Sequence, residues 1–279
     1  MKFKPSDLAI CETCGTQFDV PLDQHPESCR ICDDPRQYVP ASGQTWTSLR
    51  RSQPLQKNNF ETDAQNPHIH YITTAPLSPS ELPPGLADTS STRKQLGIGQ
   101  RAILLQTSGG NVLWDCVAFL NPDTISFVNS KGGLKAIVIS HPHFYTIHLE
   151  WAAVFKCPVY MAGEDQEWIN RADKDGARKF FSAGEETKIE ESGFKNAKHV
   201  PETTSYSFMW AYPNMIPLSP KAILGIWKAI KGLEFDSTYG GFPGQNLSRP
   251  DLKAQVLESM KIFLRRGGHE GAEIYGESV

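Results

Sequence analysis

The sequence predicts an α/β fold, and three neighbouring stretches carry that prediction. Residues 132–140, "GGLKAIVIS", form a largely apolar run rich in Ile and Val. Such a run fits a strand buried on both faces. Residues 146–155, "TIHLEWAAVF", place Ile147, Trp151, Val154 and Phe155 on one helical face. Residues 157–163, "CPVYMAG", return to a short strand. Strand, loop, helix and strand make one α/β unit. Ligand sites in open sheets of this kind gather at the carboxyl ends of strands, and there the chain reads "SHPHFY".

Taken in chain order, residues 1–40 are expected to form a separate segment. Cys11-Glu12-Thr13-Cys14 and Cys29-Arg30-Ile31-Cys32 are two Cys-x-x-Cys pairs. Four thiolates suit a closed tetrahedral zinc, which would replace the core that so few residues cannot build alone. Gly15 follows the second sulfur, where a tight turn is needed. A redox dithiol is the alternative, and two pairs at matched spacing disfavour it. His25, between the pairs, reads as a loop residue. Residues 41–279 are expected to form the main domain.

Residues 41–100 show little periodicity, and "LSPSELPPGLADTSS" (77–91) is a Pro/Ser/Gly loop. "HIHYITT" (68–74) alternates like a strand, and its His68 and His70 read as structural. "RAILLQT" and "NVLWDCVAF" flank Ser108-Gly109-Gly110, a hairpin signal. In the last third, Ser219 and Pro220 open a helix with Ile223, Trp227 and Ile230 at helical spacing. A second helix carries Leu252, Val256, Leu257, Met260 and Phe263, and ends in Arg265, Arg266 and Gly267. Between them, "FDSTYGGFPGQ" is Gly-rich but lacks the Lys-Ser/Thr ending of a phosphate cradle.

The chain has 279 residues, 21% of them charged, and a net charge of -3. That balance gives no electrostatic case for a nucleic acid or an anionic membrane as partner. No apolar run approaches the roughly 18 residues of a membrane span. The N-terminus lacks the apolar core of a secretory signal. The expected setting is therefore cytoplasmic and reducing, with a small-molecule substrate as partner and the oligomeric state open.

His141 and His143, two apart in a loop stiffened by Pro142, can aim imidazole nitrogens at one ion. Neutral imidazole suits several divalent metals. A catalytic site needs about three protein ligands and an open position. His148 lies five residues on, inside the expected helix. The competing reading is a surface loop with ordinary histidines.

These residues resemble the metallo-β-lactamase superfamily. More closely, they resemble a subgroup with a four-cysteine N-terminal segment, "GQTWT" (43–47), "LWDC" (113–116), "ISHPHFY" (139–145) and "SFMWAYPNMIPL" (207–218). The resemblance implies an αββα sandwich and metal-dependent hydrolysis of an ester, thioester, lactone or lactam. It also implies one further divalent metal, expected to be zinc, at the histidine site. Where the family motif continues with Asp and His, this chain has Tyr145 and Thr146, which leaves one metal at most. Tyr145 is then a candidate hydrogen-bond donor or weak ligand. Asp115 is a candidate for orienting a ligand, or equally for capping a turn. The family's later Gly-Gly-His and strand-ending Asp have no counterpart before "SFMW". His199 is the sole candidate ligand in that interval, so an internal segment of two or three strands is expected to be missing. Two alternatives follow: an inactive binding protein of the same fold that keeps only the cysteine-bound zinc, and a zinc-ribbon nucleic-acid binder, which the weak acidity disfavours.

Overall fold

A computed structural model describes residues 3–32, 39, 43–86, 95–181, 209–211 and 216–279. His199 and most of the interval before "SFMW" lie outside the described residues.

By contacts the chain divides into two compact units. One comprises residues 1–191 with 241–243, the other residues 192–240 with 244–279. In the first, β1 (Leu8–Cys11), β2 (Gln17–Pro21) and β3 (Trp46–Thr47) form a three-stranded antiparallel sheet in the order β2-β1-β3. The four-cysteine segment is thus paired with residues beyond its expected boundary. A single-turn helix, α1 (Leu49–Ser52), follows, with Ser48 Oγ accepting from the Arg51 amide.

The large sheet of this unit has seven strands. They are β4 (Gln56–Thr62), β5 (Ile69–Pro76), β6 (Arg101–Leu105), β7 (Val112–Trp114), then β8 (Ala136–Val138) after helix α2 (Pro122–Ser130), β9 (Val159–Ala162) after helix α3 (His148–Phe155), and β10 (Arg178–Phe181). Their spatial order is β10-β9-β8-β7-β6-β5-β4. Strands β4 to β7 run antiparallel, and β7 to β10 run parallel. The hairpin expected around Ser108-Gly109-Gly110 forms, with Leu105 opposite Val112. Mixed α/β is the class the sequence predicted. Among the described residues there is one large sheet, the others having three, two and two strands.

Among the elements the sequence reading did not identify are β4 and α2. Strand β4, "QKNNFET", turns the polar Asn58 inward, so its apolar alternation is broken. Asn58 Nδ2 donates to the Phe119 carbonyl at 3.0 Å and to Thr124 Oγ1 at 2.9 Å, which satisfies the buried amide. Helix α2 is short, but Asn121 caps it by accepting from the Thr124 amide at 2.9 Å, and Pro122 opens it. Phe60 of β4 stacks on Phe127 of α2 with centroids 4.2 Å apart.

The second unit is built on α4 (Pro220–Ile230) and α5 (Leu252–Arg266), as read from the sequence. It also holds the short pairs β11 (Trp210–Ala211) with β12 (Ile216–Pro217), and β13 (Ser237–Tyr239) with β14 (Asn246–Ser248). Its core gathers Ile223, Leu224, Trp227, Val256, Met260 and Leu264, the apolar stripes of the two helices. The stretch 235–245, read as a loop, contributes the first arm of the β13–β14 hairpin. Among the described residues no helix is long and apolar enough to cross a membrane.

Candidate metal centres

The four cysteines of the N-terminal segment meet. Their sulfurs all lie within 4.8 Å of one another, and all four residues are buried. Cys11 and Cys32 Sγ are 3.6 Å apart, as are Cys14 and Cys29 Sγ. A disulfide requires about 2.0 Å, and none is formed. Tetrahedral zinc with Zn–S bonds of about 2.3 Å places its sulfurs about 3.8 Å apart, so these four fit that ion.

The turn that makes this possible is local. Gly15 sits at φ +81°, and its amide donates to the Cys11 carbonyl at 2.8 Å. Cys11 N–H donates to the Thr16 carbonyl at 3.0 Å, and Cys32 N–H to the Cys29 carbonyl at 3.0 Å. Gln44 Nε2 reaches Cys11 Sγ at 2.9 Å. An amide donor beside a sulfur stabilises its thiolate. Gln44 belongs to the "GQTWT" stretch, and only the fold shows that this glutamine serves the cysteines. Without metal the cluster shares its charge unevenly. Hydrogen bonds from the neighbouring thiols pull Cys11 down, while bonding to Cys11 pushes Cys14 and Cys29 up.

The histidine loop stands at the carboxyl end of β8, where the sequence placed it. His141 Nε2 and His143 Nδ1 face each other at 2.7 Å, with the rings stacked 9° from parallel and centroids 4.9 Å apart. His143 Nε2 is buried and has no hydrogen-bond partner among the described residues. Burial lowers the pKa of His143 to about 4, helped by His141. It lowers His141 too, against the pull of the Asp165 carboxylate. Both shifts favour the neutral imidazole, and in the 2.7 Å hydrogen bond one of the two facing nitrogens donates to the other. Among the described residues no third His, Cys, Asp or Glu joins them within ligand distance.

The remaining candidates fall in different places. Asp115 ends β7, beside the start of the loop. Its Oδ1 accepts from the Ser140 amide at 2.8 Å and from Ser140 Oγ at 2.9 Å. It anchors the residue before His141 and, among the described residues, makes no hydrogen bond to a histidine. Burial raises its pKa to about 7, opposed by the Ser140 donors. Tyr145 is buried, and its hydroxyl donates to the Asp165 carbonyl at 3.1 Å. Burial first, then Asp165, pushes this phenol well above the usual tyrosine range.

His148 is not brought to the pair as a free ligand. Arg178 Nε donates to its Nε2 at 2.9 Å, so Nδ1 carries the proton and donates to the Tyr145 carbonyl at 2.6 Å. Both ring nitrogens are used. Burial and the Arg178 charge lower its pKa to about 3. His70, half of the other His-x-His, is buried within the sheet between Thr62 Oγ1 and Gln106 Oε1, in agreement with a structural role. His25 stacks on Trp46 and is exposed. Asp165 was not read as a site residue. It follows β9, the next parallel strand, and only tertiary packing brings it to the histidine loop.

Fold and sites define a mixed α/β protein with a buried four-cysteine cluster whose geometry could hold a metal ion and a histidine pair at the carboxyl edge of its large sheet. The chain belongs to the family of YmaE from Bacillus subtilis (strain 168), described as "Uncharacterized protein YmaE". It is 33% identical to that protein over 261 residues, covering 84% of this chain and 88% of the relative. Since 84% of 279 residues is about 234, about 27 of the 261 aligned positions face gaps in this chain. No family model matches the chain. Among solved structures, the chain is similar to a B3 metallo-β-lactamase with an active-site glutamic acid. That match has 14% identity and a TM-score of 0.42, over 85% of this chain and 98% of the other.

Proposed function

We propose that the chain is a metal-dependent hydrolase of the metallo-β-lactamase type, acting on an ester, thioester, lactone or lactam as a small-molecule substrate. The observation that carries this reading is the convergence of His141 Nε2 and His143 Nδ1 at 2.7 Å, on neutral rings, at the end of a buried parallel strand. His141 and His143 would hold a divalent metal, expected to be zinc, which would supply Lewis acidity towards a carbonyl. The chain's own residues do the holding. Asp115 fixes Ser140, and so the entry to the loop. Asp165 fixes the Tyr145 hydroxyl through its carbonyl, and its carboxylate favours positive charge at His141. With His148 committed to Arg178 and Tyr145, His199 remains the candidate third ligand. Cys11, Cys14, Cys29 and Cys32 would hold zinc in a structural role, since the chain itself offers four sulfur ligands.

The second reading is an inactive protein of this fold that holds metal at the cysteines alone. Two observations favour it: the pair has no third donor among the described residues, and the aligned relative has residues this chain lacks. Metal content per chain decides between them. The hydrolase reading expects about two metals in wild type and about one in the His141→Ala/His143→Ala double variant. It also expects chelator-sensitive turnover of one member of an ester and lactone panel. Equal content of one in both proteins would sink the hydrolase reading and leave the second.

A further inference from the structure

We infer that the four-cysteine centre is the positioning element of the histidine loop, so that order in the loop depends on the cysteine knuckle. The two centres belong to one compact unit and share a short physical link. Gly15, next to Cys14, backs directly onto the loop's support. A Cβ added there would lie 2.4 Å from Ala118 Cβ and 3.5 Å from Thr146 Cγ2. The Gln17 amide donates to the Thr146 carbonyl at 3.1 Å. Gln100 Nε2 donates to the Cys14 carbonyl at 3.2 Å and holds the knuckle from the opposite side.

Thr146 is where this matters. It lies three residues after His143 and two before α3, yet it sits at φ +37°, a left-handed conformation unfavourable for a β-branched residue. Strain of this kind persists only when the surroundings over-determine it. Here they do so from two sides. Thr146 Oγ1 donates to the Val117 carbonyl at 3.2 Å, and the knuckle supplies the Gln17 amide and the Gly15 surface. The Gln17 side chain extends the grip to α3. Its Nε2 donates to Glu150 Oε1 at 3.3 Å, and Arg171 Nη1 donates both to Gln17 Oε1 and, at 2.9 Å, to Glu150 Oε1. A knuckle held by metal is rigid, and a released one gives up these contacts and frees Thr146 to relax. The loop carrying His141 and His143 relaxes with it.

The test is hydrogen–deuterium exchange on the zinc-loaded full chain, reading residues 141–148 with β4 to β6 as internal reference. Gly15→Ala, which collides with Ala118, should raise exchange in the loop about tenfold while the reference strands keep their protection. Adding Ala118→Gly should recover part of that protection, because it removes the collision but leaves alanine at a left-handed φ of +81°. Gln17→Leu touches no cysteine and keeps the test open should Gly15→Ala fail to fold. It should loosen residues 146–150 by a smaller factor. Unchanged exchange across the histidine loop in a folded Gly15→Ala chain, or in Gln17→Leu, would overturn the inference. The readout is loop order, so loss of hydrolysis with this coupling intact would count against the proposed function alone.

Discussion

Asp115 shows how one side chain sets the entry to the histidine loop. It occupies φ +63°, which Asp tolerates better than most residues, and ties the end of β7 to Ser140. Asp115→Ala removes both bonds and keeps an unfavourable backbone, so it should cost about 2–3 kcal/mol in chemical unfolding. Asp115→Asn should cost less, because an amide oxygen still accepts and Asn tolerates the conformation. Its folded pKa of about 7 lies above the unfolded carboxylate value. The native state therefore binds this proton more tightly, and the contribution is complete at low pH and lost as pH rises from about 4 to 7. Relative to Asp115→Asn, wild type should lose stability across that window, measured as Tm against pH. His148 has the opposite sign. Its pKa falls to about 3 in the fold, so the unfolded chain takes up the proton first as pH drops below about 6.5. Stability should decline from there towards pH 3, and the decline should be shallower in His148→Gln, which keeps hydrogen-bonding atoms but cannot titrate.

Among the elements, β8 is the one the site depends on. It lies between β7 and β9, parallel to both, and Ile137 is fully buried. Ile137→Ala leaves a cavity in the core and should cost about 2–5 kcal/mol. Hydrogen exchange at residues 139–143 should rise by more than at β4 in the same protein, because the histidines are carried on the end of that strand. Strand β8 and helix α3 were legible because their apolar patterns follow the periods of the elements. Strand β4 was not, because its inward-facing Asn58 is satisfied by Phe119 and Thr124, partners 61 and 66 residues away in sequence. No local pattern announces such a pairing.

For the whole molecule, the cysteine cluster acts as a small core in its own right, with Ile31 buried beside it and Phe18, Trp46 and Ile98 packed on it. Metal binding at such a cluster contributes directly to folding. Cys14→Ser should lower metal content by about one per chain, and chelation of wild type should lower Tm by about 10 °C or more. A Tm unaffected by chelation in protein shown to have lost its metal would contradict the structural assignment.

The sequence by itself determined the α/β class, the two terminal helices and the cysteine cluster. In each, the governing forces act over neighbouring residues: helical and strand periodicity, caps, and paired thiols spaced for one ion. It also placed His141 and His143 at a strand end. Only the tertiary structure decided what those groups face. It showed that both nitrogens of His148 are taken by Tyr145 and Arg178, that Asp115 serves Ser140, that Asp165 accepts from the Tyr145 hydroxyl, and that Gln44 donates to Cys11. These are contacts between residues brought together by chain reversal. Their energies depend on burial and direction, which spacing along the chain does not encode.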